Sequence, residues 1–224
     1  WKKSEVTLGS RTSGCPAPLP DPDLVEKAAK ILGESQQPMI FVGGGAYEAC
    51  QEIKTLAETL QAPVISYQNG RGILDERHYL AHTNTAGAML WKNCDAAISI
   101  GCRMQAERTS WGMDDALKII HVDIDPSSVG KNVKVDLAII SDVNELLKSL
   151  IKRFREKNKD FVSSNKQKIA KWWSQIDKWR EKKSLNFINS NQTIKPQHAV
   201  QRLYELTKDK DAFITTEVGQ HQMW

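Results

Sequence analysis

The chain has 224 residues, is 40% hydrophobic and 26% charged, and carries a net charge of +4. That length suits one domain with extra segments or two small ones, and the composition supplies enough apolar residues for a sizeable core. No apolar run reaches the ~18 residues of a membrane span, and no basic-then-apolar segment opens the chain. Neither a membrane partner nor export is therefore expected, and the location expected is cytoplasmic. The four cysteines include no CxxC pair, which argues for free thiols over zinc.

Residues 1–22 read as a lead-in, because Pro16, Pro18, Pro20 and Pro22 force an extended path. Asp21 or Asp23 caps the next helix, Leu24 to Leu32, which ends at Gly33. Met39 to Val42 is a short apolar strand, followed at once by Gly43, Gly44 and Gly45. Ala49, Ile53, Leu56, Ala57 and Leu60 then recur at helical spacing. A strand, a glycine turn and a helix form the opening unit of a doubly wound α/β sheet. Glycine permits close backbone approach, and the start of a helix suits phosphate. The fingerprint is partial, since Tyr47 and Glu48 stand where a third spaced glycine belongs. A tight turn with no ligand is the alternative.

Ala62 to Tyr67 reads as the second strand and leads into the loop Gln68 to Leu74. Thr83 to Gly87 is polar and small, and Ala88 to Trp91 is helical. Asp95 to Gly101, Lys118 to Asp125 and Val135 to Ile140 are further strands, and Asp142 caps a helix running to about Phe154. Their continuous apolarity predicts an α/β fold, a doubly wound parallel sheet with helices on both faces. Ligands of such sheets bind beyond the carboxyl ends of the strands. The residues singled out there are Gly43, Gly44, Gly45, Asn69, Gly70, Gly72, Gly101, Arg103, Asp123 and Asp125. Asp123 and Asp125 also fit a strand end and a Pro126 turn.

Between Lys148 and Lys183 stand 13 Lys/Arg against 4 Asp/Glu. A nucleic-acid footprint is one reading; a solvated helical face is preferred, and no nucleic-acid partner is expected. Ile169, Trp172, Trp173, Ile176 and Trp179 form an apolar stripe at helical spacing, suited to packing on a neighbouring domain. Residues 23–155 are thus expected to form the central domain and 156–195 a basic helical linker. Residues 196–224 are expected to open another α/β domain with a helix from Pro196 and a strand at Asp211 to Glu217. The first residue is Trp1 and the last Trp224, and the expectation is a piece of a longer polypeptide.

Val218-Gly219-Gln220-His221-Gln222-Met223-Trp224 resembles the start of the cofactor domain in acetohydroxyacid (acetolactate) synthase large subunits. These belong to the thiamine-diphosphate-dependent decarboxylases and carboligases. The Pro-Asp-Pro helix, Pro38 to Ala46, the Pro63 strand, Ile100-Gly-Cys-Arg103, His121-Val-Asp-Ile-Asp125 and Gly130-Lys131 agree in order with that family. The resemblance implies a central, Rossmann-like domain plus the first element of the thiamine-diphosphate domain. It implies thiamine diphosphate and Mg2+ as cofactors of the parent, with Gln220 and His221 near the cofactor diphosphate. Its substrate would be a 2-oxo acid, its partners the rest of its own chain and further copies in a dimer or tetramer. No catalytic residue and no metal ligand is expected in this chain itself, which alone should be inactive.

The resemblance also implies FAD or ADP in the central domain, with coenzyme A as a further family ligand. Glycine amides would meet phosphate, Arg103 would pair with phosphate or stack, and Asp123 or Asp125 would accept from ribose. Flavin-binding relatives carry Gly-Met-His-Gly where this chain has Thr83 to Gly87. They carry an acidic pair where it has Met104 to Glu107. The adenine half is thus expected to be recognised better than a flavin ring. The alternative from another class is a stand-alone nucleotide-binding module for ADP, FAD or NAD.

Overall fold

A computed structural model describes residues 16–105, 107–112, 115–157, 161–181 and 186–219. Two compact units divide the chain, one ending at Ile176 and the other starting at Asp177.

Six parallel strands form the sheet of the first unit, in the order β3-β2-β1-β4-β5-β6. These are β1 (Pro38–Val42), β2 (Val64–Ser66), β3 (Ala81–His82), β4 (Ala96–Ile100), β5 (Lys118–Asp123) and β6 (Leu137–Ile140). Each residue of β1 and β4 is buried, as an inner strand covered on both faces requires. Ile40, Val42, Ile98, Ile100, Ile120 and Val122 face one helical layer. That layer is α1 (Pro22–Glu34), α2 (Cys50–Leu60) and α4 (Val143–Lys157), with Leu32, Leu56, Leu146 and Leu150 inward. Each fully buried aliphatic side chain of this layer contributes ~1.5–3 kcal/mol. On the other face Phe41 meets Trp91 of α3 (Asn84–Trp91) edge-on at 5.6 Å and Trp111 at 6.0 Å.

Local chemistry sets the ends of these elements. Asp21 caps α1 by accepting from the Asp23 amide at 2.8 Å. Asp142 caps α4 through the Glu145 amide at 3.1 Å. Asp95 takes the amides of Gln36 (2.7 Å) and Gln37 (3.0 Å) and the Ser35 hydroxyl, fixing the chain before β1 to the start of β4.

Several boundaries differ from the sequence reading. Gly33 does not end α1; it lies within it, 3.6 Å by its notional Cβ from the Phe154 ring. Thr83 is an N-cap whose hydroxyl accepts from Ala86, so α3 begins at Asn84. Trp172 and Trp173 of the stripe pack on the first unit itself, not on a neighbouring domain. After α5 (Phe161–Lys168), α6 (Ala170–Glu181) places Trp172 against β1, where its indole donates to the Pro38 carbonyl at 3.3 Å. Trp173 donates to the Gln61 carbonyl at 2.8 Å. The basic run is partly paired: Lys148 with Glu145 at 2.9 Å, Arg153 with Glu26, and Lys168 with the Gly33 carbonyl at 2.7 Å.

The second unit contains α7 (Pro196–Thr207), which buries no residue within it. The strand expected at Asp211 to Glu217 is not formed; these residues are exposed and pair with no strand. A single segment without a sheet has no partner for its backbone groups. No helix among the described residues is long and apolar enough to cross a membrane.

Candidate functional site

In this order the sheet grows to one side from β1 to β3 and to the other from β4 to β6, and the crevice beyond the carboxyl ends of β1 and β4 is where such sheets take ligands. The turn Gly43 to Gly45 follows β1, and the turn starting at Gly101 follows β4. Gly43 donates to the Ile100 carbonyl at 3.1 Å, and Gly45 to the Gly101 carbonyl at 3.2 Å. A Cβ on Gly43 would lie 2.3 Å from the Gly101 oxygen. These glycines therefore exist first to let two backbone turns touch. Of the three amides expected to meet phosphate, those of Gly43 and Gly45 are engaged with carbonyls. The Gly44 amide, on an exposed residue, donates to no described residue. A short 3-10 turn, Gly44–Ala49, separates the glycines from α2.

Two clefts flank this contact and share Gly44, Gly45 and Gly101. One, of about 450 Å3, is lined by Tyr67, Asn69, Arg103, Met104 and Gln105 in addition to the three glycines and Gly101. The other, of about 310 Å3, is lined by Tyr47, Glu48, Ile124, Asp123, Asp142 and Asn144. The first carries a cationic side chain, Arg103; the second carries carboxylates. Gly70 packs beneath the first cleft, where a Cβ would lie 2.3 Å from the Val42 oxygen. Met104 is buried with φ 47°, an unusual conformation for a side chain of its size that turns the loop into the cleft.

The remaining sequence-derived residues separate by position. Asp123 lines the second cleft, although its Oδ1 already accepts from the Asp125 amide at 2.9 Å. Asp125 lines neither cleft. Its carboxylate takes the Ser127 amide and hydroxyl, both at 2.9 Å, and these bonds hold its pKa down. That is the turn-capping role. Gly72, at φ 87°, has open space around its notional Cβ and lines neither cleft. Thr83 to Gly87 likewise lines neither. Gln220 and His221 lie outside the described residues.

Sequence reasoning missed Glu107. It is fully buried, its Oε1 meets the Tyr67 hydroxyl, and its Oε2 has no partner among the described residues. Burial pushes its pKa up to about 7. A charged residue in a polar stretch carries no sequence signal of burial. His121 is also buried and its pKa is lowered by desolvation; Nδ1 accepts from Gly130 at 3.3 Å, so Nε2 donates to the Cys102 carbonyl at 2.9 Å. It braces the β4 turn. Cys102 is buried, with its thiol pKa raised to about 11, which leaves it inert as a nucleophile. Cys50 and Cys94 are free thiols as well. Among the described residues no group of three or more His, Cys, Asp or Glu is placed to hold a metal ion.

The model of the thiamine pyrophosphate enzyme central domain matches residues 25–150. The chain belongs to that family. The central domain so defined contains every strand of the sheet and both clefts. Among curated proteins it is similar to the acetolactate synthase isozyme 3 large subunit of Escherichia coli (strain K12). They are 31% identical over 211 residues, 89% of this chain and 36% of that protein. The acetolactate synthase large subunit of Cyanidium caldarium is 34% identical over 211 residues, 89% of this chain and 35% of that protein. A probable acetolactate synthase large subunit of Methanococcus aeolicus is 34% identical over 225 residues, 93% and 38% respectively. The chain thus spans about a third of the length of these relatives.

Proposed function

We propose that this chain is the central domain of a thiamine-diphosphate-dependent enzyme of acetolactate synthase type, and that it holds an adenine nucleotide in the twin clefts. The observation that carries the nucleotide reading is the meeting of two glycine turns beyond the carboxyl ends of β1 and β4, with a cleft on either side. Arg103 and the Gly44 amide would take phosphate oxygens; Asn69 borders the same cleft. Asp123 keeps an oxygen available for a ribose hydroxyl. The residues present fit an adenine nucleotide, with fewer amide donors than a full glycine-rich phosphate loop.

The whole protein would act on a 2-oxo acid, losing carbon dioxide and passing the remaining fragment to an acceptor. Thiamine diphosphate, bound with Mg2+, supplies the carbanion stabilisation. The family membership and the acetolactate synthase relatives support this reading over a stand-alone nucleotide module. A cytoplasmic homo-oligomer is part of the same proposal.

Calorimetric titration with ADP, FAD, coenzyme A and NAD tests the nucleotide reading. ADP is expected to bind at least as tightly as FAD. FAD binding far tighter than ADP would show a flavin site instead, and no binding by any of the four would leave the glycines as a structural turn. Carbon dioxide release from pyruvate by the full-length protein with thiamine diphosphate and Mg2+ tests the activity.

A further inference from the structure

Glu107 opens a π-helical turn, Glu107–Trp111, directly after the loop that lines the first cleft. One carboxyl oxygen meets Tyr67, itself a cleft-lining residue, and the other is buried without a partner among the described residues. The elements around the turn supply no described cation. Helix α3 reads NTAGAMLW and carries no charge, β1 contributes Phe41, and the Arg103 side chain is exposed. Tyr67 is the titratable group that meets the carboxyl. Trp111, from the same turn, lies 6.0 Å from Trp91 and 6.0 Å from Phe41, and its ring approaches within 3.1 Å of a notional Cβ on Gly87.

An ionised carboxylate here would have one buried oxygen with no donor among the described residues, which costs far more than burying a neutral acid. We propose that Glu107 is carried as the neutral acid behind Tyr67, which lines the cleft, and that loss of its proton to solvent switches the Tyr67 contact between two hydrogen-bonded states. In the neutral state the acid O–H donates to the Tyr67 oxygen, and the phenol proton is available to an acceptor in the cleft. In the ionised state the phenol donates to Oε1, and Oε2 draws in water. That hydration loosens the π-turn and the packing of Trp111. Burial raises the pKa to about 7, which sets the switch near neutrality. The inference depends on the buried geometry and not on which ligand fills the cleft.

The test is an infrared pH titration of the protein from pH 5 to 9, read alongside tryptophan fluorescence. A protonated-carboxyl band is expected to disappear with a midpoint near neutrality, and fluorescence to change with the same midpoint. Both changes should be absent in Glu107→Gln. Tyr67→Phe removes the donor that favours the carboxylate, so its midpoint should move up in pH. No such band in the wild type above pH 6, or an unchanged transition in Glu107→Gln, overturns the proposal. If Glu107→Gln does not fold, an unmoved midpoint in Tyr67→Phe overturns it equally.

Discussion

Gly45 and Gly101 are in backbone contact: a Cβ placed on Gly101 would stand 2.6 Å from the Gly45 Cα, and one placed on Gly45 would stand 2.9 Å from the Gly101 Cα. The turns after β1 and β4 are therefore a single packed unit. Any side chain at either position separates the turns and moves Gly44 and Arg103 apart.

Gly101→Ala is accordingly expected to destabilise strongly. It forces alanine to φ 57° and drives its methyl into backbone; together these should cost ~2–4 kcal/mol. Gly72→Ala carries only the backbone cost, at φ 87° with open space around it, and should lose ~1 kcal/mol. Urea denaturation of both variants decides this. Equal losses would show that the Gly45–Gly101 contact contributes nothing.

Arg103→Ala should weaken ADP about tenfold, as expected for loss of one charge-assisted contact to phosphate. Its side chain is exposed and lines the first cleft, so stability should change by less than ~0.5 kcal/mol. Titration of the variant with ADP, beside its urea midpoint, reads both. Unaltered affinity would remove Arg103 from the site.

The sheet was legible in the sequence because its strands are buried on both faces. Met39 to Val42 read as an unbroken apolar run and Asp95 to Gly101 as a mostly apolar one, and the glycines after β1 and β4 marked the crevice. What was not legible depended on contacts distant in sequence. Ala81–His82 is too short for any period to show. Trp172 announced burial, but nothing local said that its partner would be the Pro38 carbonyl in its own unit. Asp125 was read both as a ribose ligand and as a turn cap, and only the bonds to Ser127 and Ser128 favour the second role. Glu107 was seen only as a departure from an acidic pattern, since its burial and its Tyr67 partner, 40 residues away, leave no local trace.

Trp172 offers a check on where the first unit ends. It is 1% exposed, and Ile169 and Ile176 are buried on the same helical stripe. Trp172→Ala should cost ~3–5 kcal/mol, the usual loss for a fully buried aromatic. Trp179→Ala, beyond Ile176, should cost much less. A small effect at Trp172 would show that α6 does not belong to the folded core.

Glu107 makes stability depend on pH in a direction opposite to a salt-bridged carboxylate. Its pKa in the fold is raised from 4.5 to about 7. Below the lower value both folded and unfolded chains are protonated, and the group exerts no bias. As pH climbs from 4.5 towards 7, the unfolded chain ionises while the fold does not, so stability falls throughout that window. Above it both states are ionised and the loss levels off. At ~1.4 kcal/mol per pKa unit, the full drop is about 3 kcal/mol. Glu107→Gln cannot ionise and should flatten this part of the profile, making the variant more stable than the wild type at pH 8 relative to pH 5. Urea midpoints at pH 5, 6, 7 and 8 for the two proteins give the answer. Parallel profiles would mean that Glu107 is already ionised in the fold at pH 5, with water or a cation at its buried oxygen.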